Sequence, residues 1–242
     1  MSRINSYYND FYRELSVIDE ENNNFIKIED FLPKLHGEEC FLDIGCGHGG
    51  VCSELINKGY NVSGIEINDS AIKSLQSKGY KTYRRDITKP LNINSKFNII
   101  LILDVLEHLF EPVHLLQEAK KIVKNNGHII VTIPLYFDII DRLKILFTGN
   151  IISMDNLCYG KENYLKFRSY NYDHIRFFRP KDILEIGEML DLYADKIEFN
   201  STSYLGKSRF IKLFFKIIAN KFTVKYSPNL LAHSMKIRWQ VR

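Results

Sequence analysis

A glycine-rich turn between an apolar run and a helical pattern constrains the fold of this chain more than any other feature. The apolar run covers 41–44, three glycines follow at Gly45, Gly47 and Gly49, and apolar residues at helical spacing continue from Val51. A strand followed by such a turn and a helix brings backbone N–H groups close to a ligand that side chains would otherwise block. The pattern therefore predicts a ligand-binding strand–turn–helix unit of an open α/β sheet.

The same turn fits the dinucleotide fingerprint G-x-G-x-x-G through Gly45, Gly47 and Gly50, and this match is weak by itself. Two carboxylates favour a different ligand. Asp43 lies at the end of the strand, where it would repel a pyrophosphate but suit a cationic amino group. Glu66 ends the next strand-like run, where it can accept hydrogen bonds from both ribose hydroxyls of a nucleoside. A ligand with an ammonium at one end and an adenosine at the other is S-adenosylmethionine.

Beyond the turn, short apolar runs alternate with helical patterns. Strand-like runs cover 40–44, 61–66, 80–84, 97–103, 128–133 and 192–199, and helical patterns cover 51–58, 69–77, 112–124 and 181–190. This alternation predicts a doubly wound parallel sheet with helices on both faces. We also expect Asn125-Asn126-Gly127 to end the helix at 112–124. In 235–241, apolar residues alternate with basic or polar ones, which predicts an edge strand.

These motifs continue with Arg85-Asp86-Ile87 and Asp104-Val105-Leu106-Glu107-His108. Together they resemble class I S-adenosylmethionine-dependent methyltransferases, in particular small-molecule O-methyltransferases of the ubiquinone and surface-polysaccharide type. The resemblance is good over about 38–135 and looser elsewhere. It implies a Rossmann-like, seven-stranded, mostly parallel sheet with an antiparallel last strand, and S-adenosylhomocysteine as the product.

The resemblance also implies a set of cofactor contacts. They are Asp43, Gly45, Cys46, Gly47, Gly49, Glu66, Ile67, Asp86, Ile87, Asp104 and Val105. In this scheme the glycines line the methionine half, Glu66 holds the ribose, Asp86 faces the adenine amino group and Ile87 packs on the adenine ring. Asp86 could instead be a turn or N-cap residue before 87–90.

Two histidines are candidates for catalysis, His174 and His108. His174 lies in Tyr172-Asp173-His174-Ile175-Arg176-Phe177-Phe178-Arg179-Pro180, which is similar to a segment before the fifth helix of small-molecule methyltransferases. A neutral imidazole could take the proton from an acceptor hydroxyl, although a structural histidine is an equal alternative. Arg176 and Arg179 are candidates to bind an anionic acceptor.

Asp104, Glu107 and His108 stand at i, i+3 and i+4, so they would share one face of a helix. In part of the ubiquinone-type family a similar run binds magnesium. Hard cations prefer carboxylates, and a single histidine is an unusual ligand for them. We therefore expect no metal here, with Asp104 and His108 shaping the cofactor pocket and Glu107 anchoring the helix.

Composition is that of one globular domain over 1–242, with 45% apolar residues. We expect an N-terminal helical cap (1–36), a lid or acceptor-binding insertion (134–179) and a basic C-terminal segment (201–242). No apolar run reaches the about 20 residues of a membrane span, and the first residues lack a secretion signal. Four cysteines without metal spacing favour a reduced, cytoplasmic protein.

The basic C-terminal segment holds nine Lys or Arg residues and no Asp or Glu. It could meet an anionic partner or simply be a solubilising face. Within it, 207–222 predicts a very apolar helix that packs on the sheet or contacts a membrane surface.

These features together predict O-methylation of a small-molecule acceptor, with an anionic acceptor as one option, and favour a sugar or phosphorylated precursor of a surface polysaccharide. The alternatives are N-methylation of a small amine, a quinone or lipid-like acceptor at the membrane, a nucleic-acid acceptor, and cofactor binding without catalysis. Nucleic acid is the less expected partner, and the sequence leaves the oligomeric state open.

Overall fold

The computed structural model describes residues 28–136, 138–149, 174–201 and 217–242, together with Leu213. In these residues the strands are β1 (Cys40–Ile44), β2 (Asn61–Glu66), β3 (Lys81–Arg84), β4 (Phe97–Leu103), β5 (Val123–Pro134), β6 (Tyr193–Ser201) and β7 (Ala232–Gln240). The helices are α1 (Gly50–Asn57), α2 (Asp69–Ser77), α3 (Pro112–Ile122), α4 (Ile139–Thr148), α5 (Pro180–Met189), α6 (Lys221–Tyr226) and α7 (Pro228–Leu231). Two 3₁₀ turns cover Glu29–Phe31 and Leu106–His108.

The strands form a seven-stranded sheet in the order β3-β2-β1-β4-β5-β7-β6. All neighbours are parallel except β7, which runs antiparallel to both β5 and β6. The predicted doubly wound, mostly parallel sheet is thus confirmed. Strand order reverses between β1 and β4, and open α/β sheets bind ligands at the carboxyl ends of the strands beside such a point.

Local sequence explains where the helices begin. The Asn68 side chain caps α2 by accepting hydrogen bonds from the N–H groups of Ser70 and Ala71. Pro112 occupies the first turn of α3, where its missing N–H costs nothing. Each of these helices therefore begins directly after the loop that follows a carboxyl strand end, and this leaves that end of the sheet open to a ligand.

The core lies on both faces of the sheet, which is why the central strands are almost continuously apolar. In β4, Ile100 and Ile102 contribute to one apolar cluster, while Ile99 and Leu101 contribute to the other. Alternation along a strand sends successive side chains to opposite faces. The site residues therefore lie at the ends of strands that are buried on both faces.

The prediction of an edge strand at 235–241 is wrong. β7 lies between β5 and β6, and Trp239 is fully buried. The basic residues that suggested an edge are neutralised inside the sheet. Lys236 Nζ lies 2.8 Å from Glu198 Oε1 of β6, and Arg238 pairs with Asp195 of the same strand at 2.8 Å. Cross-strand ion pairs therefore produced a pattern that resembles solvent exposure.

The predicted turn at 125–127 is also different from what was expected. β5 already begins at Val123, so these residues belong to the strand. Asn126 has a φ of 60°, and the pairing of β5 with β4 shifts register between Phe97 and Ile99. Asparagine tolerates this left-handed conformation, so the segment forms an irregularity of the ladder and not a separate turn.

The continuous helix predicted over 207–222 ends before Asn220. There the chain bends, and the Asn220 side chain caps α6 by accepting from the N–H groups of Phe222 and Thr223. The rest of that prediction, most of the 1–36 cap and the 150–173 part of the proposed lid lie outside the described residues. Among the described residues, no helix combines the length and the apolar character that crossing a bilayer requires.

Candidate functional site

The glycine turn after β1 is held against the end of β2 by backbone hydrogen bonds. The N–H groups of Gly45 and Cys46 both donate to the Ile65 carbonyl, at 2.9 and 3.1 Å. Gly45 has a φ of 75°, and a Cβ there would lie 2.8 Å from Val105 Cγ2. Glycine is therefore required at this point by both conformation and space. The turn brings its backbone against Val105, which sequence analysis assigned to the same pocket.

Glu66 connects the turn to β2. Its Oε2 accepts the Gly47 N–H at 2.9 Å, and its Oε1 accepts the N–H groups of Ile67 and Asn68 at 2.6 and 2.8 Å. The residue is only 8% exposed. Since each carboxylate oxygen has two lone pairs, Oε2 can accept a further hydrogen bond from a ribose hydroxyl. The carboxylate thus stands where the sequence predicts it, at the carboxyl end of β2.

Asp43 is a buried carboxylate with 4% exposure. Burial raises its pKa; a hydrogen bond from the Cys52 thiol lowers it and the nearby Glu66 charge raises it, which brings the pKa of Asp43 to about 7. The Cys52 Sγ lies 3.5 Å from Asp43 Oδ2. A cation next to Asp43 would favour its ionised form, whereas a pyrophosphate would add a further negative charge. These residues therefore fit the ammonium group of S-adenosylmethionine.

Asp86, which the resemblance assigned to the adenine, has the turn arrangement that was the alternative prediction. Its Oδ1 accepts from the Thr88 N–H at 3.0 Å and from the Thr88 hydroxyl at 2.6 Å. Burial raises the pKa of Asp86, but the bonds from Thr88 and the charge of Lys89 outweigh it and leave the pKa lowered. Ile87 is half-buried beside it. Contact of Asp86 and Ile87 with adenine stays a prediction.

The segment that carries Asp104, Glu107 and His108 is not an α-helix, so the condition for a shared helix face is not met. Asp104 has a φ of 53° and precedes a single 3₁₀ turn that begins at Leu106. Its Oδ1 accepts a hydrogen bond from the Thr132 hydroxyl at 2.8 Å. Asp104 is therefore hydrogen-bonded to β5, whereas the other two residues belong to the following 3₁₀ turn.

That turn instead brings Glu107 and His108 together with His174. Glu107 Oε1 lies 4.0 Å from His108 Nε2 and 3.9 Å from His174 Nε2. The two imidazole rings meet edge to face with centroids 4.5 Å apart. One ligand atom from each of the three residues falls within 4.8 Å of the others, so this group could hold a metal ion. Two imidazoles and one carboxylate suit zinc better than magnesium.

His174 is held in place from two sides. The Tyr136 hydroxyl forms a hydrogen bond with His174 Nδ1. The N–H groups of Ile175 and Arg176 donate to the Glu107 carbonyl at 2.8 and 3.0 Å. Tyr136 is a site residue that sequence analysis missed, although the aromatic content of 134–179 was a signal for it.

Arg176 contacts this group through its backbone N–H, but the guanidinium groups of Arg176 and Arg179 bind elsewhere. The Arg176 guanidinium donates to the Phe110 carbonyl and lines a separate surface depression with Phe110. Arg179 is exposed and forms an ion pair with Asp182 at 2.6 Å in the first turn of α5. Neither arginine lines the cavity beside the histidine cluster, and their role in binding an anionic acceptor stays a prediction.

A cavity of about 360 Å³ opens at the carboxyl edge of the sheet beside the histidine cluster. Asp104, Glu107 and His174 line one side of it. The side formed by β6 and β7 was missed in the sequence, and it carries Asn200, His233, Ser234 and Lys236. The assignment of β7 as an edge strand hid these residues, because their placement depends on β7 lying between β5 and β6.

This sheet order, with one antiparallel strand and a glycine turn between buried carboxylates, defines the class I methyltransferase fold. A sequence profile described as a methyltransferase domain matches residues 19–196. The chain belongs to this family, whose members use S-adenosylmethionine.

Individual relatives are distant. The chain is 24% identical over 153 residues to the ubiquinone biosynthesis O-methyltransferase of Vibrio cholerae serotype O1, covering 60% of this chain and 57% of that protein. The enzyme of the same description from Actinobacillus pleuropneumoniae serotype 7 is 28% identical over 170 residues, covering 65% and 67%. A methyltransferase structure from Archaeoglobus fulgidus superposes with a TM-score of 0.58 at 18% identity, covering 89% of this chain and 92% of that one. The chain thus spans little more than half the length of the first of these relatives.

Proposed function

We propose that this protein transfers a methyl group from S-adenosylmethionine to a hydroxyl of a small-molecule acceptor. The observation that carries the proposal is the placement of His174. Its imidazole is fixed by Tyr136 beside the Glu107 carboxylate, and it lines the cavity next to Asp104. A base in this position is what an alcohol acceptor needs, since its oxygen must lose a proton as it is methylated.

The bound cofactor supplies an electrophilic methyl group on a sulfonium. The turn at Gly45–Gly49, Asp43 and Glu66 would hold and orient it. Transfer from a sulfonium would need no oxyanion hole, so the protein would act mainly by aligning the two substrates and excluding water.

His174 takes the proton through Nε2. When Nδ1–H donates to the Tyr136 oxygen, Nε2 keeps its lone pair. The imidazolium that forms lies 3.9 Å from Glu107 Oε1, which stabilises the positive charge. His108 faces the same carboxylate at 4.0 Å and is the second candidate base.

For the acceptor we propose a sugar or a phosphorylated sugar precursor of a surface polysaccharide. The polar side chains around the cavity support this class. A quinone-like phenol is the second candidate, because both curated relatives are described as ubiquinone biosynthesis O-methyltransferases.

The experiment is an acceptor screen on the purified chain with S-adenosylmethionine, read by mass spectrometry as the gain of one methyl group. The panel contains sugars, sugar phosphates, catechols and small amines, each with and without excess chelator. We expect transfer to a hydroxyl compound and full turnover in the chelator. Methylation restricted to amines would overturn the proposal, and loss of activity in the chelator with recovery on zinc would assign a metal to Glu107, His108 and His174.

A further inference from the structure

Four polar side chains of β6 and β7 line the cavity on the side away from the glycine turn. They are Asn200, His233, Ser234 and Lys236. Because β7 is antiparallel, its first residues lie at the carboxyl edge of the parallel strands, where Ser234 pairs with Pro134 of β5 and with Asn200 of β6. We propose that these side chains form the acceptor subsite and that it takes an uncharged, polyhydroxylated ring, which narrows the acceptor class proposed above to a sugar ring without a phosphate in this cavity. The inference rests on the proposed function, since it concerns the same cavity.

Asn200 and Ser234 provide a donor and an acceptor next to each other. The Asn200 amide nitrogen donates to Ser234 Oγ at 2.7 Å. This bond does not use Asn200 Oδ1, which accepts, or the Ser234 hydroxyl hydrogen, which donates. A sugar hydroxyl both donates and accepts, so such a pair can satisfy it completely.

His233 adds a second acceptor. Its Nδ1–H donates to the Ser201 carbonyl at 2.8 Å. In the neutral ring this leaves Nε2 with a lone pair. The three neighbouring side chains of the subsite therefore offer both a hydrogen-bond donor and hydrogen-bond acceptors to a sugar hydroxyl.

The charges around the cavity favour an uncharged ring. Lys236 is 7% exposed, and its ammonium is balanced by Glu198 Oε1 at 2.8 Å. On the facing side the carboxylates of Asp104 and Glu107 line the cavity. A phosphate placed here would meet two carboxylates and a lysine whose charge is already balanced.

Size and wall chemistry agree with a single ring. The cavity of about 360 Å³ is near the lower end of small-molecule pockets. Ile28, Leu103 and Pro134 provide apolar walls for the C–H faces of a ring, and the other eight of eleven lining residues carry polar side chains. A prenylated phenol would cover these polar groups without giving them hydrogen-bond partners, which is costly.

The test uses the S-adenosylhomocysteine-bound protein and three sets of probes: methyl glycosides of common hexoses and deoxyhexoses, their phosphates, and catechol. Binding is measured by saturation-transfer NMR and calorimetry. We expect a methyl glycoside to bind more tightly than its phosphate and than catechol. Asn200→Ala and Ser234→Ala should each weaken it about three- to tenfold, the loss expected for one hydrogen bond. Asn229→Ala, at an exposed position of α7, is the matched control, and unchanged affinity for S-adenosylhomocysteine shows that each variant is folded.

The proposal is overturned if no glycoside binds, if the phosphates or catechol bind more tightly, or if neither variant changes glycoside affinity. Failure of the proposed function has a different signature. In that case glycosides bind through Asn200 and Ser234, but no hydroxyl compound receives a methyl group.

Discussion

Asp43 and Glu66 are neighbours at the carboxyl ends of β1 and β2, but they differ in burial and in their hydrogen-bond donors. Glu66 accepts three backbone N–H groups. Asp43 is more deeply buried and has a thiol as its hydrogen-bond donor. The pair therefore separates into a hydrogen-bonded carboxylate, which we predict holds the ribose, and a carboxylate with a raised pKa, which we predict faces a cation.

The pKa of Asp43 gives cofactor binding a specific pH dependence. In the folded, cofactor-free protein it is raised to about 7 from the usual 3.8. The Asp43 carboxyl therefore holds its proton more tightly in the folded state than in the unfolded chain. Protonated Asp43 thus contributes to the free energy of unfolding at low pH, and this contribution is lost as pH rises through about 7. A cationic ligand needs the ionised form, so S-adenosylmethionine should bind more tightly as pH rises through this window and release a proton below pH 7. Calorimetry in buffers of different ionisation enthalpy measures the number of protons released on binding. Cofactor binding without proton release would contradict the assignment of this pKa to Asp43. Proton release that persists in the Asp43→Asn variant would contradict it as well.

Glu66→Ala should weaken S-adenosylhomocysteine binding by about 1.5–3 kcal/mol, the scale of hydrogen bonds to a charged group. The reason is loss of the ribose acceptor together with loosening of the turn at Gly47. Glu38→Ala, at an exposed position before β1, is the control and should leave affinity unchanged. Calorimetry measures the affinity of the wild type and of both variants for S-adenosylhomocysteine. Equal affinity in these three proteins would mean that another group holds the ribose.

His174→Ala should lower kcat by about 10²–10⁴-fold, as expected for loss of a general base, with cofactor affinity nearly intact. Tyr136→Phe removes only the hydroxyl that orients the His174 ring. We therefore expect a smaller decrease in kcat than in His174→Ala, together with a shifted pH–rate profile. His36→Ala, at an exposed position, is the control. Steady-state kinetics on the acceptor found in the screen gives the result. A kcat within a few-fold of wild type across the pH range would show that His174 is not the base, as for an acceptor that is already ionised.

At the scale of elements, α5 packs directly on the strand that sequence analysis placed at the edge. A Cβ at Gly187 would lie 2.6 Å from Trp239 Nε1, and Trp239 is fully buried. This contact joins a helix to β7, an interior strand of the sheet, through the smallest residue available.

Gly187→Ala should therefore destabilise the protein by about 1–3 kcal/mol through overpacking. Without the contact, the same change inside a helix would stabilise it by up to about 1 kcal/mol. The sign of the change in unfolding free energy, from urea denaturation followed by circular dichroism, thus tests the packing. In a Trp239→Phe background the substitution should cost less, and a Gly187→Ala protein more stable than wild type would contradict the contact.

The parts of the structure that sequence analysis predicted are those set by local pattern. The strand–turn–helix around Gly45 and the acidic ends of β1 and β2 depend on residues close together in the chain. Asn200 and Ser234 line the cavity only because β7 inserts between β5 and β6 and pairs with both. Alternation of Lys236 with apolar neighbours indicated an exposed edge, because sequence alone does not reveal a cross-strand partner such as Glu198. Long-range pairing was thus the limit of prediction.

At the scale of the whole molecule, ion pairs balance part of the positive charge that the sequence concentrates in the basic C-terminal segment. Lys236 and Arg238, two of the nine cations after residue 200, are paired with acids of β6. The Arg242 guanidinium lies 4.3 Å from the centre of the Tyr193 ring. In contrast, Ile217 and Phe222 are apolar and 63% and 80% exposed. The described part of this segment therefore presents apolar side chains more than unbalanced charge, which favours a membrane surface over nucleic acid.

We accordingly predict that the protein co-sediments with vesicles containing phosphatidylglycerol and binds them more weakly when they contain only phosphatidylcholine. Ile217→Ser with Phe222→Ser should reduce vesicle binding several-fold by removing buried apolar area. Leu230→Ser, at an exposed position of α7, is a matched control of the same chemistry. A single-stranded RNA oligonucleotide should bind weakly, without the steep loss of affinity between 50 and 200 mM salt, about 10³–10⁵-fold, that many phosphate contacts produce. Steep salt-dependent RNA retention without vesicle binding would instead identify the basic segment as a nucleic-acid surface.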